Sequence, residues 1–234
     1  MTNTAVRAKG QWSADPFTMS MFHSALRRDL ERAAILLADP STLSVRRKRR
    51  LGRHLQWLMH ALRWHHEGED HYLWPLLLDR EPESSAILAT MEAEHEAIDG
   101  PLLEVEAVAR GLVSGRTSEG DASAALTAFE RPLRDHLAHE EVDGLAIVRR
   151  VLTHREWAEF EQKAWIDGYT VSESIRFVSW MLDGLQWSKD FRDRVGVPTT
   201  LYWAVVKPLS YVAHLPALSP WAGTRAARVA SRIR

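Results

Sequence analysis

The chain has 234 residues, a formal net charge of −1 and an isoelectric point near 6.8. This balance argues against a protein that binds nucleic acid or a membrane surface, and we interpret the one basic run, RRKRR at residues 46–50, as a solvated helix face. The sequence has no cysteine, which excludes disulfides, thiolate metal ligands and thiol catalysis, so redox chemistry would have to use a metal.

The length suits one large domain, or one domain with an appendage. No stretch approaches the roughly 18 apolar residues of a membrane span, and the N-terminal sequence MTNTAVRAKGQWSADPF lacks the apolar core of a signal peptide. We therefore expect a cytoplasmic protein.

The first predicted helix carries a lone histidine, His23, on its apolar face. Apolar residues three and four positions apart share one face of an α-helix. This face consists of Met19, His23, Leu26, Leu30, Ala33 and Leu37. His23 is therefore predicted to point into a core and not into solvent.

The second predicted helix places a histidine and a glutamate four residues apart on its apolar face. The face consists of Leu51, Leu55, Leu58, Leu62, His65, Glu69, Leu73 and Leu76. Because residues four apart point in the same direction, His65 and Glu69 are predicted to enter the core together.

The third and fourth predicted helices repeat this arrangement. His95 lies alone on the face formed by Leu88, Met91, His95, Ile98, Leu102, Val105 and Leu112. His136 and Glu140 lie on the face formed by Ala122, Leu126, Phe129, Leu133, His136, Glu140, Gly144 and Ile147. Each lone histidine precedes the histidine of its pair by a similar distance, 42 residues in the first copy and 41 in the second. Four imidazoles and two carboxylates thus form two copies of one unit.

The turns between these helices are predicted by the midpoints between the polar residues. The midpoint of His23 and His65 falls in DPSTLS, that of Glu69 and His95 falls at Pro82, and that of His95 and His136 falls in GLVSGRTSEG. All three segments have the glycine, proline and serine content of turns. The sequence therefore predicts an all-α, up-down-up-down four-helix bundle with the six polar residues at one level.

Six polar groups in a bundle core require partners. Left unpartnered, each would cost on the order of 1–3 kcal/mol, against a total stability of roughly 5–15 kcal/mol. Neutral imidazole and carboxylate suit a pair of iron or similar transition-metal ions. A ferritin-like site is less favoured, because only Glu92 and His95 have the required Glu-x-x-His spacing.

From about residue 155 the metal motif stops. We expect an N-terminal tail at 1–14, the bundle at 15–155 and a C-terminal helical extension at 156–234 that packs on the bundle. The extension contains Trp157, Trp165, Trp180, Trp187, Trp203 and Trp221. Packing alone is the simplest role for these large apolar rings, and a lid over the site or a homodimer contact are the alternatives.

The motifs in combination resemble a known family. A histidine on the first helix, HHEGEDHYLWPLL on the second and MEAEHEAIDGPLL on the third resemble haemerythrin-like HHE cation-binding domains. The order His, HxxxE, His, HxxxE is similar to that of actinobacterial members, and the resemblance covers roughly residues 15–155. It implies two non-haem iron ions with oxo or hydroxo and carboxylate bridges. One iron would be held by His23 and His65 and the other by His95 and His136, with Glu69 and Glu140 bridging them.

The chain departs from the oxygen-carrying haemerythrins, which have HxxxH on the third helix and HxxxxD on the fourth. Asp99 stands four residues after His95, where a fifth histidine would be expected, and is a candidate ligand or a partner of a ligand. Glu141, five residues after His136, is a weaker rival to Glu140 as a bridge. Fewer nitrogen ligands would leave more positions open, which favours peroxide or nitric oxide chemistry or sensing over reversible oxygen carriage.

Two further histidine and aspartate pairs share the four-residue spacing, His66 with Asp70 and His139 with Asp143. Neither pair continues its apolar face, and their offsets from the preferred pairs differ. We interpret them as groups at the boundary of the site that contact the ligands from outside.

Three classes of function follow. The first is a di-iron protein that binds or senses O2, peroxide or nitric oxide. The second is an enzyme that consumes peroxide or nitric oxide, catalase-like or otherwise, in defence against oxidative or nitrosative stress. The third is a metal-free helical interaction module whose histidines are structural. No phosphate-binding loop or nucleophile elbow favours other chemistry.

Overall fold

The computed structural model describes residues 13–185 and 219–233, together with the single residues Thr200 and Pro208. The helices are α1 (Phe17–Leu37), α2 (Val45–Gly68), α3 (Trp74–Arg80), α4 (Ser85–Ser114), α5 (Glu119–His139), α6 (Leu145–Val151), α7 (His154–Glu161) and α8 (Val171–Leu182). Within the described residues there is no β-strand beyond an isolated bridge between Ser13 and Thr153, so the predicted all-α fold is confirmed. Trp187 and Trp203 lie outside the described residues.

The four long helices α1, α2, α4 and α5 form the bundle. His23 on α1 faces His65 on α2, and Asp29 faces His54, so residue numbers rise along one helix as they fall along the other. The same antiparallel order holds between α2 and α4 and between α4 and α5. All four helices contribute leucine, alanine or phenylalanine side chains to one buried core. Across the described residues no helix has the length and apolar content needed to cross a membrane.

Helices α2 and α4 approach closely at Gly52. A Cβ atom built there would lie 2.5 Å from the carbonyl oxygen of Ala109, so only glycine fits without a backbone shift. The approach brings the two helices near enough for His66 on α2 to stack on His95 on α4, with ring centroids 3.9 Å apart.

Two π-helical turns interrupt the helices that carry the glutamates. One spans Glu69–Leu73 between α2 and α3, and the other spans Glu140–Gly144 between α5 and α6. A π turn takes up more residues than an α turn, so the buried face rotates after it. Leu77 is therefore buried instead of the predicted Leu76, and the predicted continuation of the second apolar face is wrong beyond Leu73.

The segment after residue 153 packs against the bundle. Helix α7 begins with a capping box formed by Thr153 and Glu156. Trp180 on α8 and Trp221 are buried in the same core as the bundle leucines. Ala226, in the basic C-terminal sequence, is also fully buried there.

A buried ionic cluster joins this segment to α1. Asp29 accepts hydrogen bonds from Arg28 Nε at 2.8 Å and from Trp180 Nε1 at 2.9 Å, and its Oδ2 contacts His54 Nε2 at 2.7 Å. Arg32 lies 3.2 Å from Asp29 Oδ1. Burial opposes ionisation of Asp29, but Arg28 and His54 outweigh it and hold the pKa of this carboxyl well below its usual range.

The two arginines also hold the chain beyond α8. Arg28 Nη2 donates to the carbonyl oxygen of Trp180 at 3.0 Å, and Arg32 Nη2 donates to that of Val229 at 2.8 Å. Arg32 also pairs with Asp183 at 2.5 Å. Both arginines contact Asp29, and Asp183 also lies within 4 Å of both. Asp29 is the more deeply buried of the two carboxylates, so the attachment of the C-terminal segment depends on its charge.

We expect Asp29→Asn to lower the free energy of unfolding by about 3–5 kcal/mol at pH 7, because it removes one of the two carboxylates that balance two buried guanidinium charges. The wild-type carboxylate stabilises the fold fully above its unfolded pKa of about 3.9 and loses that effect as the pH falls toward the lower folded pKa. The difference between the two proteins, measured by urea denaturation, should therefore be constant from about pH 5 to 8 and shrink below about pH 4.

Asp135→Asn is the matched control. Asp135 pairs with Arg134 at the surface, where both side chains are more than half exposed. Its replacement should change the unfolding free energy by no more than about 0.5 kcal/mol. An equal effect of both substitutions would contradict the role given to Asp29.

Candidate metal centre

All six predicted ligand residues lie together in the bundle interior, and a seventh, His66, lies with them. Each is at most 5% exposed. The seven residues are His23 from α1, His65 and His66 from α2, Glu69 from the first π turn, His95 from α4, His136 from α5 and Glu140 from the second π turn. They form two neighbouring groups of possible cation ligands.

The first group is formed by His23, His65 and Glu140. Two ring nitrogens and one carboxylate oxygen of these residues lie within 4.8 Å of one another. His23 Nε2 is 3.1 Å from Glu140 Oε2, and His65 Nε2 is 3.1 Å from Glu69 Oε1. His65 is held between two aromatic rings, with Phe22 stacked at 4.0 Å and Trp165 stacked at 5.0 Å.

The second group is formed by His66, His95 and His136, whose ring nitrogens also lie within 4.8 Å of one another. His95 Nε2 and His136 Nε2 are 3.1 Å apart. Two nitrogens that each lie about 2.1 Å from one metal ion, at right angles, would be separated by about 3 Å. The distance between these two atoms therefore fits a shared cation.

Each carboxylate lies between the two groups. The other oxygen of Glu69, Oε2, is 3.6 Å from His95 Nε2. Glu140 Oε2, which faces His23, is 3.8 Å from His136 Nε2. Both glutamates thus contact one histidine of the first group and one of the second.

Three of the five histidines contact a carboxylate through the nitrogen that points away from the centre. His23 Nδ1 lies 3.1 Å from Glu141, His95 Nδ1 lies 2.8 Å from Asp70, and His136 Nδ1 lies 3.0 Å from Glu94. A carboxylate only accepts, so each Nδ1 carries the proton and donates it. The other nitrogen of each ring, Nε2, then faces the interior. The 3.1 Å contact between His95 and His136 brings two such nitrogens together, which favours a cation between them.

Several interior polar atoms form no hydrogen bond of normal geometry with any described residue, although His23 faces Glu140 and His65 faces Glu69 at 3.1 Å. They are Nε2 of His23, His65 and His66, and both carboxylate oxygens of Glu69 and of Glu140. A buried polar atom without a partner costs about 1–3 kcal/mol, and a charged one costs more. The residues present therefore fit a bound cation, which would satisfy all of these atoms at once.

The protonation states agree with this interpretation. Burial lowers the pKa of His65 and His66 well below the usual range and that of His136 to about 4, so these rings are neutral near pH 7 and can donate a lone pair. Burial and the neighbouring Glu140 raise the pKa of Glu69 well above its usual range. Metal ligands must be deprotonated, so the charge of a cation would oppose that rise.

His23 and Glu140 favour the charged forms of each other. Burial opposes charge on both groups, but their mutual attraction outweighs it. The pKa of His23 is raised, with a further contribution from Glu141, and the pKa of Glu140 is held below its usual range. A positive charge is thus favoured next to Glu140.

The structure differs from the sequence interpretation at His66. We predicted a group outside the site, but His66 contributes a ring nitrogen to the second group. Adjacent residues on a helix point about 100° apart, and α2 has two neighbours in the bundle. His65 is directed toward α1 and His66 toward α4, so a single narrow apolar face could not include both.

The remaining candidate ligands, Glu141, Asp99 and His139, lie outside the two groups of interior residues. Glu140 reaches His23 Nε2 in the interior, whereas Glu141 bonds the outer nitrogen of His23 and pairs with Arg27 at 2.6 Å. Asp99 is exposed, and the outer nitrogen of His95 is bonded by Asp70 from the π turn. His139, with Asp143 at 3.5 Å, remains outside the two groups.

A four-helix bundle whose core holds five imidazoles and two carboxylates is a cation-binding protein by its fold and its site. The family model described as the hemerythrin HHE cation binding domain matches residues 17–143, and the chain belongs to that family. The match includes all seven interior residues and ends before α6. No curated protein and no solved structure matches the chain.

The contact between Glu94 and His136 leads to a testable prediction. Glu94 contacts the outer nitrogens of both His136 and His139, at 3.0 Å in each case. Its removal would free the orientation and tautomer of His136, and losses of this kind lower metal affinity by about 10–100-fold. We expect this loss in Glu94→Ala, measured by competition with a chromophoric chelator.

Glu106→Ala is the control for this measurement. Glu106 is also on α4 and partly buried, but its partners are Arg63 and Arg110. Unchanged affinity in Glu94→Ala, or an equal loss in Glu106→Ala, would contradict a role for Glu94 in orienting His136.

Proposed function

We propose that this is a non-haem di-iron protein that binds or senses O2, peroxide or nitric oxide in the cytoplasm. One iron would be held by His23 and His65, the other by His66, His95 and His136, and Glu69 and Glu140 would bridge them. The observation that carries the proposal is the set of unpartnered donor atoms described above, which is arranged in two groups around two shared carboxylates.

The donor types support iron. The site offers imidazole nitrogen and carboxylate oxygen and no thiolate, a combination suited to iron among the transition metals. Bound iron would supply one-electron and O2 chemistry that no side chain of this cysteine-free chain can supply. The protein residues would hold the ions, keep the imidazoles neutral and exclude bulk water.

The two groups are unequal, and this supports a binding position for a small ligand. The first group has two imidazoles and the second has three. An ion at the first group would therefore have more room for an added ligand. The carboxylates of Glu69 and Glu140 are not available to fill this position, because each contacts a histidine of both groups.

A small apolar cavity lies beside His65. Its volume is about 30 Å³, which is enough for a water-sized or diatomic molecule. It is lined by Thr18, Phe22, Ala61, Trp64, His65, Trp165, Tyr169, Phe177 and Met181. None of these side chains is an acid, a lysine or an arginine, which favours a neutral ligand over an ion. Burial and the nearby Glu173 raise the pKa of Tyr169 to about 12, so its hydroxyl keeps its proton.

We expect the purified protein to contain about two irons per chain and His65→Ala/His136→Ala to contain none, because one donor is removed from each group. Elemental analysis and the visible absorption spectrum measure this outcome. His60→Ala is the control, since His60 is exposed on the same helix as His65. Full iron content in the double variant would refute the ligand assignment, and equal metal-free folding of wild type and variant would favour the interaction module.

The cavity can be tested separately from the metals. Ala61→Leu adds three carbons beside His65, so we expect slower spectral change on mixing with nitric oxide or peroxide while the iron content stays at two. Ala97→Leu makes the same change at an exposed position of α4 and should have no effect. Identical rates in both variants would contradict a ligand pocket here. Net consumption of peroxide or nitric oxide would identify an enzyme, and a reversible spectral change would identify a carrier or sensor.

A further inference from the structure

A second opening reaches the centre from the side opposite to the apolar cavity. It is a cleft of about 280 Å³ between α2 and α4. Its lining residues are Arg63, His66, Glu67, Asp70, Glu92, His95, Glu96, Asp99 and Leu103. Two of the three histidines of the second group therefore line this cleft.

The cleft is strongly acidic. Its lining includes five carboxylates and one guanidinium, and the guanidinium of Arg63 is already engaged by Glu106 at 3.1 Å. Asp70 bonds His95. The other four carboxylates are exposed and form no salt bridge with any residue in 13–185 or 219–233; they are Glu67, Glu92, Glu96 and Asp99.

Three of these carboxylates form one row on α4. Glu92, Glu96 and Asp99 are spaced by four and three residues, so they share a face of the helix beside His95. Like charges at this spacing repel and weaken a helix. The facing helix α2 adds a further carboxylate, Glu67, to the same cleft. The row of carboxylates therefore does not stabilise the fold. The same negative charges would attract a cation to the cleft.

The floor of the cleft contains a donor that lacks a partner. His66 is 95% buried, since its exposed fraction is 5%, and its Nε2 has no hydrogen-bond partner among the described residues. His95 lies against it, with Nδ1 bonded to Asp70 and Nε2 in the second group. Asp70 thus lies between the carboxylates at the rim of the cleft and the imidazole nitrogens of the interior.

Two other cavities among the described residues differ from this cleft in the charge of their linings. The cavity beside His65 has no charged side chain in its lining. A groove between α1 and α5 has Arg27 and Arg134 against Glu31 and Glu130, and it contains none of the seven interior residues. Of these three openings, the acidic cleft is the one that combines excess negative charge with access to the donors.

We propose that the cleft between α2 and α4 is the loading route by which hydrated divalent cations reach the dinuclear centre. Glu92, Glu96 and Asp99 attract the cation at the rim, and Asp70 and His66 receive it at the floor. The inference rests on the proposed metal centre and adds the path by which that centre is filled. Negative charge focused in a cleft raises the local concentration of a cation and its association rate, more strongly at low ionic strength.

The test is the rate of metal uptake by the full-length apoprotein, with Co²⁺ as the probe and its visible absorption as the signal. We expect Glu92→Gln/Glu96→Gln/Asp99→Asn to take up Co²⁺ about tenfold more slowly than wild type at low salt. The difference should vanish near 1 M salt, where the screening length is about 3 Å. The final Co²⁺ content should equal that of wild type, because no interior donor has been changed.

The control variant Asp79→Asn/Glu83→Gln/Glu104→Gln removes the same charges from exposed positions outside the cleft. It should load at the wild-type rate, and circular dichroism shows that each variant is folded. Equal rates for the cleft variant and wild type at low salt would overturn the loading route alone. Failure of the wild-type apoprotein to bind Co²⁺ would overturn the metal centre, and the loading route with it.

Discussion

Two buried carboxylates side by side are the constraint on which the rest of the structure depends. Glu69 and Glu140 are both fully buried, and Glu140 raises the cost of ionising Glu69. Burial favours the neutral forms of His65, His66 and His136, whereas the raised pKa of His23 lets this ring balance part of the negative charge. A cation bound between the two histidine groups would stabilise both carboxylates and accept the lone pairs that face inward. Removal of bound metal should thus leave a strained interior, even though the outer leucine layers are unchanged.

Both buried glutamates lie in π turns of the backbone. Each turn begins at a glutamate and follows the histidine of its pair by one α-helical turn. A π turn has poorer hydrogen-bond geometry than an α-helix and is found mostly at functional sites. It appears at the same point in both copies of the motif, and a third π turn, Gln162–Ile166, contains none of the seven interior residues. The first turn also carries Asp70, which it brings to the outer nitrogen of His95.

The bundle and six of the seven interior residues could be predicted because helical spacing is a long-range signal. His23, for example, continues an apolar face over several turns. His66 could not be found in this way, since its ring lies about 100° away from the apolar face that contains His65. The π turns have no sequence signature, so the apolar face was wrong after Leu73. The buried arginines Arg28 and Arg32 were also unpredictable, because their burial depends on partners in α8 and beyond it that are distant in sequence.

The two openings beside the proposed centre differ in the charge of their lining residues. On the His65 side the lining is apolar and suits neutral molecules; on the His66 side it is acidic and suits cations. Trp165, Tyr169, Phe177 and Met181, which wall the apolar side, lie beyond residues 17–143 that define the family match. A Cβ at Gly68 would lie 2.8 Å from Trp165 Nε1, so this wall is in close contact with α2 immediately before Glu69. The seven interior residues therefore belong to the family domain, whereas the apolar wall beside His65 is completed by the segment that follows it. Without this segment, His65 would lose the stacked ring of Trp165 and one side of its apolar surroundings.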